Sequence, residues 1–461
     1  MTQTMVLPGT YIEVRDEGLI SPGGVVTGNI GIVGTAEKGL VDEVQLLGSL
    51  SEAKEIFGES DEWQDGTKNE LTLIRALELI YQNGGQNVYA VRTAKNSTLS
   101  YATYELKDNS NTLLTLKAKT PGTLGNEIKI KITVVSTEIT VKLSQDTIEE
   151  TYSVTNIAEL KTEVNQKSAL VEVDGTTTEG TPKSVTDYAN FTGGKNGADA
   201  TSDDYARSLA LLENEIVNIV LLAGQDVTTT GMSTVLEGHL KTTAGIKRER
   251  IGIIGSGFSN GKDSLDDITK HTINNDRIIF TAPGILVSSQ GKQNKLPGSY
   301  LAAAVAGMLS SLPVQTSPTN KTLTIEGLTT EFNSTQLEKL VTKRVLTVEK
   351  RAGFRIVKGI TTDDGAWKQI TTRRIVDYAI YGVRSSCNPY IGKLNNERVR
   401  GAMKATLNAF LTRMVDNEAL VSYQLDVSAT RAQEKEGKVM VTMTLMPTFS
   451  IDFIQVTMYL E

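Results

Sequence analysis

Apolar positions fall along this chain in distinct textures. Between residues 29 and 95, short continuous runs alternate with stretches of helical period. Asn29–Gly34 (NIGIVG) reads as a buried strand and Ser51–Phe57 as a short helix capped by Ser51. Asn69–Gln82 reads as a helix apolar around most of its circumference, stopped by Asn83-Gly84-Gly85, with Asn87–Val91 returning as a strand. From about Lys95 the period changes to two. In Glu127–Val135, Ile128, Ile130, Ile132 and Val134 share one side and Lys129, Lys131 and Thr133 the other, the mark of a half-exposed antiparallel sheet. Thr112–Thr120 and Glu138–Leu143 repeat that texture, with a helix at Asn156–Asn165 and a strand at Ala169–Val173.

The first texture then resumes. Helices at Asp203–Glu213, Gly231–Thr242 and Ser264–Lys270 alternate with strands at Ile216–Leu222, Arg250–Ile254 and Arg277–Thr281, and an Ala- and Gly-rich helix follows at Ser299–Leu312. Apolar strands separated by helices predict a largely parallel sheet covered on both faces. Beyond it the pattern gives a helix at Asn333–Val341, a hairpin of Val345–Lys350 and Phe354–Gly359, helices at Thr371–Ser385 and Asn395–Met414, and strands at Val439–Leu445 and Ile454–Leu460. In Asn395–Met414, Val399, Met403, Leu407, Phe410 and Met414 line one helical face. The expected fold class is therefore α/β and α+β multidomain. An N-terminal arm (1–28) precedes an α/β core with a mainly parallel sheet (29–95 and 197–335), which carries an inserted β-rich outer domain (96–196). An α+β C-terminal domain (336–445) and a C-terminal arm (446–461) complete it.

Composition narrows the function. Hydrophobic residues at 39% and charged residues at 22% belong to a folded chain, and aromatics at 5% leave the cores to aliphatic side chains. With 47 basic against 54 acidic residues the net charge is −7, which argues against nucleic acid as the main partner. Residues 341–461 depart from this with 18 Lys/Arg against 12 Asp/Glu, a basic end suited to an acidic partner or to other copies of the chain. The single cysteine, Cys387, forms no intramolecular disulfide and no multi-cysteine zinc site. The first residues lack the basic and apolar regions of a signal peptide, and the longest apolar stretch, Tyr300–Leu309, is about half a bilayer span. The expectation is a cytosolic product, or one released without secretion, with no membrane insertion.

Candidate chemistry is sparse. Gly257-Phe258-Ser259-Asn260-Gly261 is a literal G-x-S-x-G between a strand and a helix, the context of a nucleophile elbow. Its base is missing. His239 lies upstream, and His271, 12 residues downstream, is carried away by the intervening helix. Gly261-Lys262-Asp263 misses a phosphate loop, because Asp263 replaces the hydroxyl that would hold magnesium. Asp203-Asp204 reads as an N-cap, Asp266-Asp267 as the wet side of a short helix, and Asp363-Asp364 as a solvated turn. No cofactor or metal is expected. An α/β serine hydrolase using Ser259 stands as the enzymatic alternative.

Both ends look like strands without a partner in their own sheet. Unpaired edges are usually blunted unless pairing with another chain is their purpose. Donation of strands between neighbours would link copies in series, and a non-closing contact of that kind builds a helical filament. Pairing of both strands within their own domain is the plainer alternative.

Several stretches resemble contractile tail sheath proteins of phages and phage-tail-like particles. They are LPGTYIEV (Leu7–Val14), SPGGVVTGNIGIVGTAEKG (Ser21–Gly39), IYQNGGQNVYAVR (Ile80–Arg92), TTRRIVDYAIYGVR (Thr371–Arg384) and VMVTMTLMPTFSIDFIQVTMYL (Val439–Leu460). The resemblance implies a non-enzymatic subunit that polymerises as helical rings around an inner tube and contracts to drive the tube through a cell envelope. It implies inter-subunit arms carrying Tyr11, Ile12, Glu13 and Val14 at one end and Val456, Thr457, Met458, Tyr459 and Leu460 at the other. The implied partners are further copies of the chain, the inner tail tube protein, and baseplate and tail terminator proteins. The implied location is a virion or phage-tail-like particle assembled in the bacterial cytoplasm. Helix Asn395–Met414, with Arg398, Arg400 and Lys404, becomes the candidate tube contact. A closed-ring structural protein that never contracts is a third reading.

Overall fold

The computed structural model describes residues 27–63, 70–289 and 291–460. Tyr11, Ile12, Glu13 and Val14 lie outside the described residues. The described chain forms two compact units, one of residues 27–373 with 450–460 and one of residues 374–449.

The first unit is built on a nine-stranded sheet. Its strands run in space from Val44–Leu47 through Val88–Arg92, Ile30–Gly34, Ile219–Asp226, Ile251–Gly255, Ile278–Ala282, Leu346–Lys350 and Phe354–Ile356 to Thr322–Leu323. Neighbours from Val88–Arg92 to Leu346–Lys350 are parallel, with Ile30 level with Val88 on one side and Ile219 on the other. Antiparallel strands close both edges. The apolar runs exist because both faces are covered. Ile30, Ile32, Ile219, Leu221, Ile251 and Ile253 enter one core, while Val33, Val220, Leu222, Ile254, Ile278 and Phe280 enter the other. Helices Leu73–Gln82 and Gly298–Ser311 lie on the first face. Helices Ser202–Leu211, Met232–Gly245 and Leu265–Thr269 lie on the second.

The small residues of Gly298–Ser311 have a use. A Cβ at Gly307 would stand 2.2 Å from the Ile80 carbonyl oxygen, so this helix meets Leu73–Gln82 backbone to backbone.

Residues 103–190 fold as two sheets around a core of their own. Thr103–Lys107, Thr112–Ala118 and Val171–Asp174 make one; Lys129–Val135, Glu138–Gln145, Ile148–Val154 and Val185–Asn190 make the other, with helix Ile157–Lys167 packed on the same core. Ile128, Ile130 and Ile132 are buried, as their alternation predicts. Arg92, at the end of its core strand, ties this region down. Its fully buried guanidinium donates to the carbonyls of Gly39 (2.6 Å) and Pro121 (2.8 Å).

In the second unit, helices Ile370–Cys387, from residue 374 onward, and Glu397–Asp416 precede a two-stranded antiparallel hairpin of Leu420–Ser428 and Met440–Pro447. Met403, Leu407, Phe410 and Met414 are buried along one face of Glu397–Asp416, with Val399 partly buried.

Several expectations need correction. The core does not end at 335. Leu346–Lys350 pairs in parallel with Ile278–Ala282 through Thr281–Leu346 and Ala282–Thr347, so the hairpin placed in the C-terminal domain extends the central sheet. The first helix starts at Leu50, because Ser49 rather than Ser51 accepts the Glu52 amide while Glu52 reaches back to Gly48. The next starts at Leu73 and not Asn69, since the Thr72 amide is taken by Thr35. Thr201, not the Asp203-Asp204 pair, is the N-cap of its helix, and Asp204 closes back on the Thr201 amide and hydroxyl at 2.9 Å each. Ile454–Leu460 forms no strand, for it has no ladder partner among the described residues.

Candidate functional site

The candidate nucleophile sits in a turn. Ser259 and Lys262 exchange backbone hydrogen bonds (2.8 and 3.2 Å) around Asn260 and Gly261, whose φ values of 51° and 73° belong to a tight hairpin turn. The following helix begins only at Leu265, so Ser259 is not at a strand-to-helix elbow. Hydrogen bonds from Ser264 and Ser259 hold the Asp267 carboxyl below its ordinary range, a structural use of that serine.

Neither histidine serves as a base. His271 Nε2 bonds the Lys343 carbonyl at 2.5 Å, and its ring lies 4.7 Å from that of Phe280. His239 is buried, and its Nε2 accepts from Arg250 at 3.2 Å. Burial first and the Arg250 charge second push it down to about 3, so it stays neutral.

The carboxylates are similarly occupied. Asp263 accepts from the Gly284 amide and from the Thr329 hydroxyl, Asp266 pairs with Lys339 at 3.0 Å, and Asp363 accepts from the Trp367 amide. Among the described residues no group of three or more His, Cys, Asp or Glu is placed to hold a metal ion. Cys387 is half-buried, which pushes its thiol up. No described helix is long and apolar enough to cross a membrane.

What the surface offers is backbone and apolar side chains. The hairpin Leu420–Ser428/Met440–Pro447 is a sheet of two strands, so among the described residues both outer edges are unpaired. Leu425, Val427 and Val441 pack toward Met403 and Leu407 of helix Glu397–Asp416, while Gln424, Asp426, Thr442 and Thr444 are exposed.

Downstream, residues 448–460 carry no helix or strand. Phe449, Ile451, Phe453, Ile454, Val456, Met458, Tyr459 and Leu460 are all exposed, Leu460 to 98%, and Thr457 with them. The basic residues are less uniform than their helical stripe predicts. Arg400 is largely buried, bonded to Asn395 and Glu434 at 2.9 Å each. Lys404 faces Asp426 at 3.6 Å and is half-exposed; Arg398 is exposed. Strand Leu420–Ser428, half of the hairpin, was legible in the alternation of LVSYQLDV but is absent from the elements the sequence predicts.

Comparison with known proteins gives this arrangement its family. Residues 198–362 match the phage tail sheath protein central domain, and residues 362–461 match the phage tail sheath C-terminal domain, together more than half of the chain. The chain belongs to the phage tail sheath family. These are structural proteins and not enzymes, and no observation supports the Ser259 hydrolase.

The chain is 22% identical over 301 residues to the tail sheath protein of Bacillus phage SP01, covering 62% of this chain and 50% of that one. It is 28% identical over 190 residues to the tail sheath protein of Staphylococcus phage Twort, covering 39% and 31%. It thus spans half or less of the curated relatives it matches. Among solved structures, the sheath tail protein of Desulfitobacterium hafniense superposes with a TM-score of 0.66 at 15% identity, over 95% of this chain and 100% of that one. The anti-feeding prophage helical sheath in its contracted state superposes with a TM-score of 0.59 at 15% identity, over 99% of both. The fold is shared across nearly the whole chain.

Proposed function

We propose that this chain is a subunit of a contractile tail sheath, polymerising as helical rings around an inner tube and contracting to drive that tube through a cell envelope. The observation that carries the reading is the run from Phe449 to Leu460. Eight large apolar side chains are exposed on a segment without a ladder partner among the described residues, a costly arrangement unless another surface covers them. The two-stranded hairpin supplies a fitting acceptor, since a pair of strands is marginal alone and gains from added strands at either edge. One arm, with Val456, Thr457, Met458, Tyr459 and Leu460, is donated to a neighbour's hairpin. The other, with Tyr11, Ile12, Glu13 and Val14, takes the second edge. Contraction then moves rigid units while the arms keep the polymer continuous, and the energy lies in subunit packing, so no nucleotide is consumed.

The tube contact is helix Glu397–Asp416, through Arg398 and Lys404; Arg400 is committed to Glu434. Baseplate and tail terminator proteins cap the polymer, in a particle assembled in the bacterial cytoplasm. The test is deletion. Removing residues 1–20, or residues 454–461, leaves a folded subunit by circular dichroism that no longer sediments as long polymers. Persistence of polymers after both deletions contradicts strand donation.

A further inference from the structure

The C-terminal run is not free along its whole length, and where it becomes free is set by two side chains. Gln369 grips the root of the run from both sides of one residue. Its Oε1 accepts the Ser450 amide at 3.2 Å, and its Nε2 donates to the Ser450 carbonyl at 3.4 Å and to Asp452 Oδ2 at 3.3 Å. The Thr371 and Ser450 hydroxyls lie 3.4 Å apart. Lys358 completes the grip, with its ammonium 3.4 Å from Asp452 Oδ2 and 4.9 Å from the centroid of the Phe453 ring. The two side chains of the ion pair are 24% and 13% exposed, whereas Ile454 is 83% and Val456 74% exposed. Phe453 is itself 84% exposed, so it is contact and not burial that marks the held stretch, whose last contact among the described residues is that of Lys358 with the Phe453 ring.

The gripping residues stand on fixed backbone. Gln369 bridges Ile360, the Thr361 amide bonds the Lys368 carbonyl, and the Thr362 amide bonds the Ile278 carbonyl of the central sheet. Ile360, Thr361, Thr362 and Ile370 are buried. The clamp therefore transmits the position of the sheet to the first residues of the run.

We propose that Lys358 and Gln369 are the positioning residues of the C-terminal arm: they order Ser450–Phe453 on the chain's own sheet unit, so that residues 454–460 alone are handed to a neighbour. This rests on the strand-donation reading above. The seven residues 454–460, fully extended, reach about 23 Å from that root. A root ordered in advance lowers the entropy lost on donation and raises the local concentration of the donated strand. Without the clamp the free segment starts near residue 449, and the arm samples a larger volume.

The test uses the full chain carrying Lys358→Ala with Gln369→Ala, whose side-chain hydrogen bonds and ion pair go to Ser450 and Asp452, and, independently from the arm side, Asp452→Ala. Hydrogen exchange on the subunit reads the clamp, and the critical concentration for polymerisation reads its use. The Ser450 amide is expected to exchange at least tenfold faster in the double variant, and the critical concentration to rise at least fivefold in both variants, with unfolding midpoints near that of the parent. An unprotected Ser450 amide in the parent, or an unchanged critical concentration in both variants, overturns the inference. Truncation after Phe453 separates it from the reading beneath it. If truncation abolishes polymers while the clamp variants assemble as the parent does, donation stands and the clamp falls. If the truncated chain still polymerises, donation by this arm falls and the clamp's role with it.

Discussion

At the scale of single residues, titratable groups that look functional in the sequence are spent on structure. His239 has a pH signature that follows from its burial. Its pKa is about 3 in the folded chain against an ordinary value near 6.5, so between those values the unfolded chain binds the proton that the folded chain refuses. Stability is therefore full above about pH 6.5 and is lost on acidification, by at most about 1.4 kcal/mol per pH unit from this group. Replacing His239 by Gln should flatten the acid limb of a stability-against-pH curve measured by urea denaturation. An unchanged slope between pH 4 and 6 contradicts the assignment. Ser259→Ala should leave both stability and polymerisation within error of the parent, since the Asp267 carboxyl that its hydroxyl bonds is exposed and is also held by Ser264. The sequence showed that Ser259 has no base. The hairpin turn at Asn260-Gly261 was legible too, since Asn-Gly favours positive φ at both positions, but it is absent from the elements the sequence predicts.

At the scale of elements, two glycines in helices predict opposite responses. Gly307→Ala gains helix propensity of about 1 kcal/mol but drives a methyl to 2.2 Å from the Ile80 carbonyl oxygen, and overpacking costs about 1–3 kcal/mol. The backbone of Leu73–Gln82 cannot swing aside as a side chain would, so the net expectation is a lower melting temperature. Gly238→Ala, in helix Met232–Gly245 with nothing within 4 Å of the new methyl, should raise stability by about 0.5–1 kcal/mol. Calorimetry on the pair checks the sign of each.

The same helices show how far periodicity reads. The Ala- and Gly-rich composition of Gly298–Ser311 announced close packing, yet its partner, Leu73–Gln82, is more than 200 residues away in sequence and outside any local pattern. Strands buried on both faces were legible as apolar runs. Strands such as Ile148–Val154 and Val185–Asn190 were not, because they are largely exposed and their polar residues mask the alternation. The Leu346–Lys350 hairpin was read as an element and assigned to the wrong domain, since only its pairing with Ile278–Ala282 reveals its sheet.

At the scale of the molecule, the functional content lies in what the single chain leaves uncovered. The sequence reads the C-terminal segment as a strand, whereas residues 454–460 form none among the described residues and are exposed, with Ser450 and Asp452 at their root held by Lys358 and Gln369. That clamp had no sequence signature. A lysine, a glutamine and an aspartate separated by 11 and 83 residues become neighbours only after the central sheet has formed. The paired state of Arg400 was hidden for the same reason, as Glu434 lies 34 residues along the chain.

The central claim is self-assembly into a sheath, and negative-stain electron microscopy of the purified full-length chain tests it most directly. The account predicts hollow, striated tubes of uniform width, formed alone or when the inner tube protein is added. Dispersed globular particles under both conditions would contradict it.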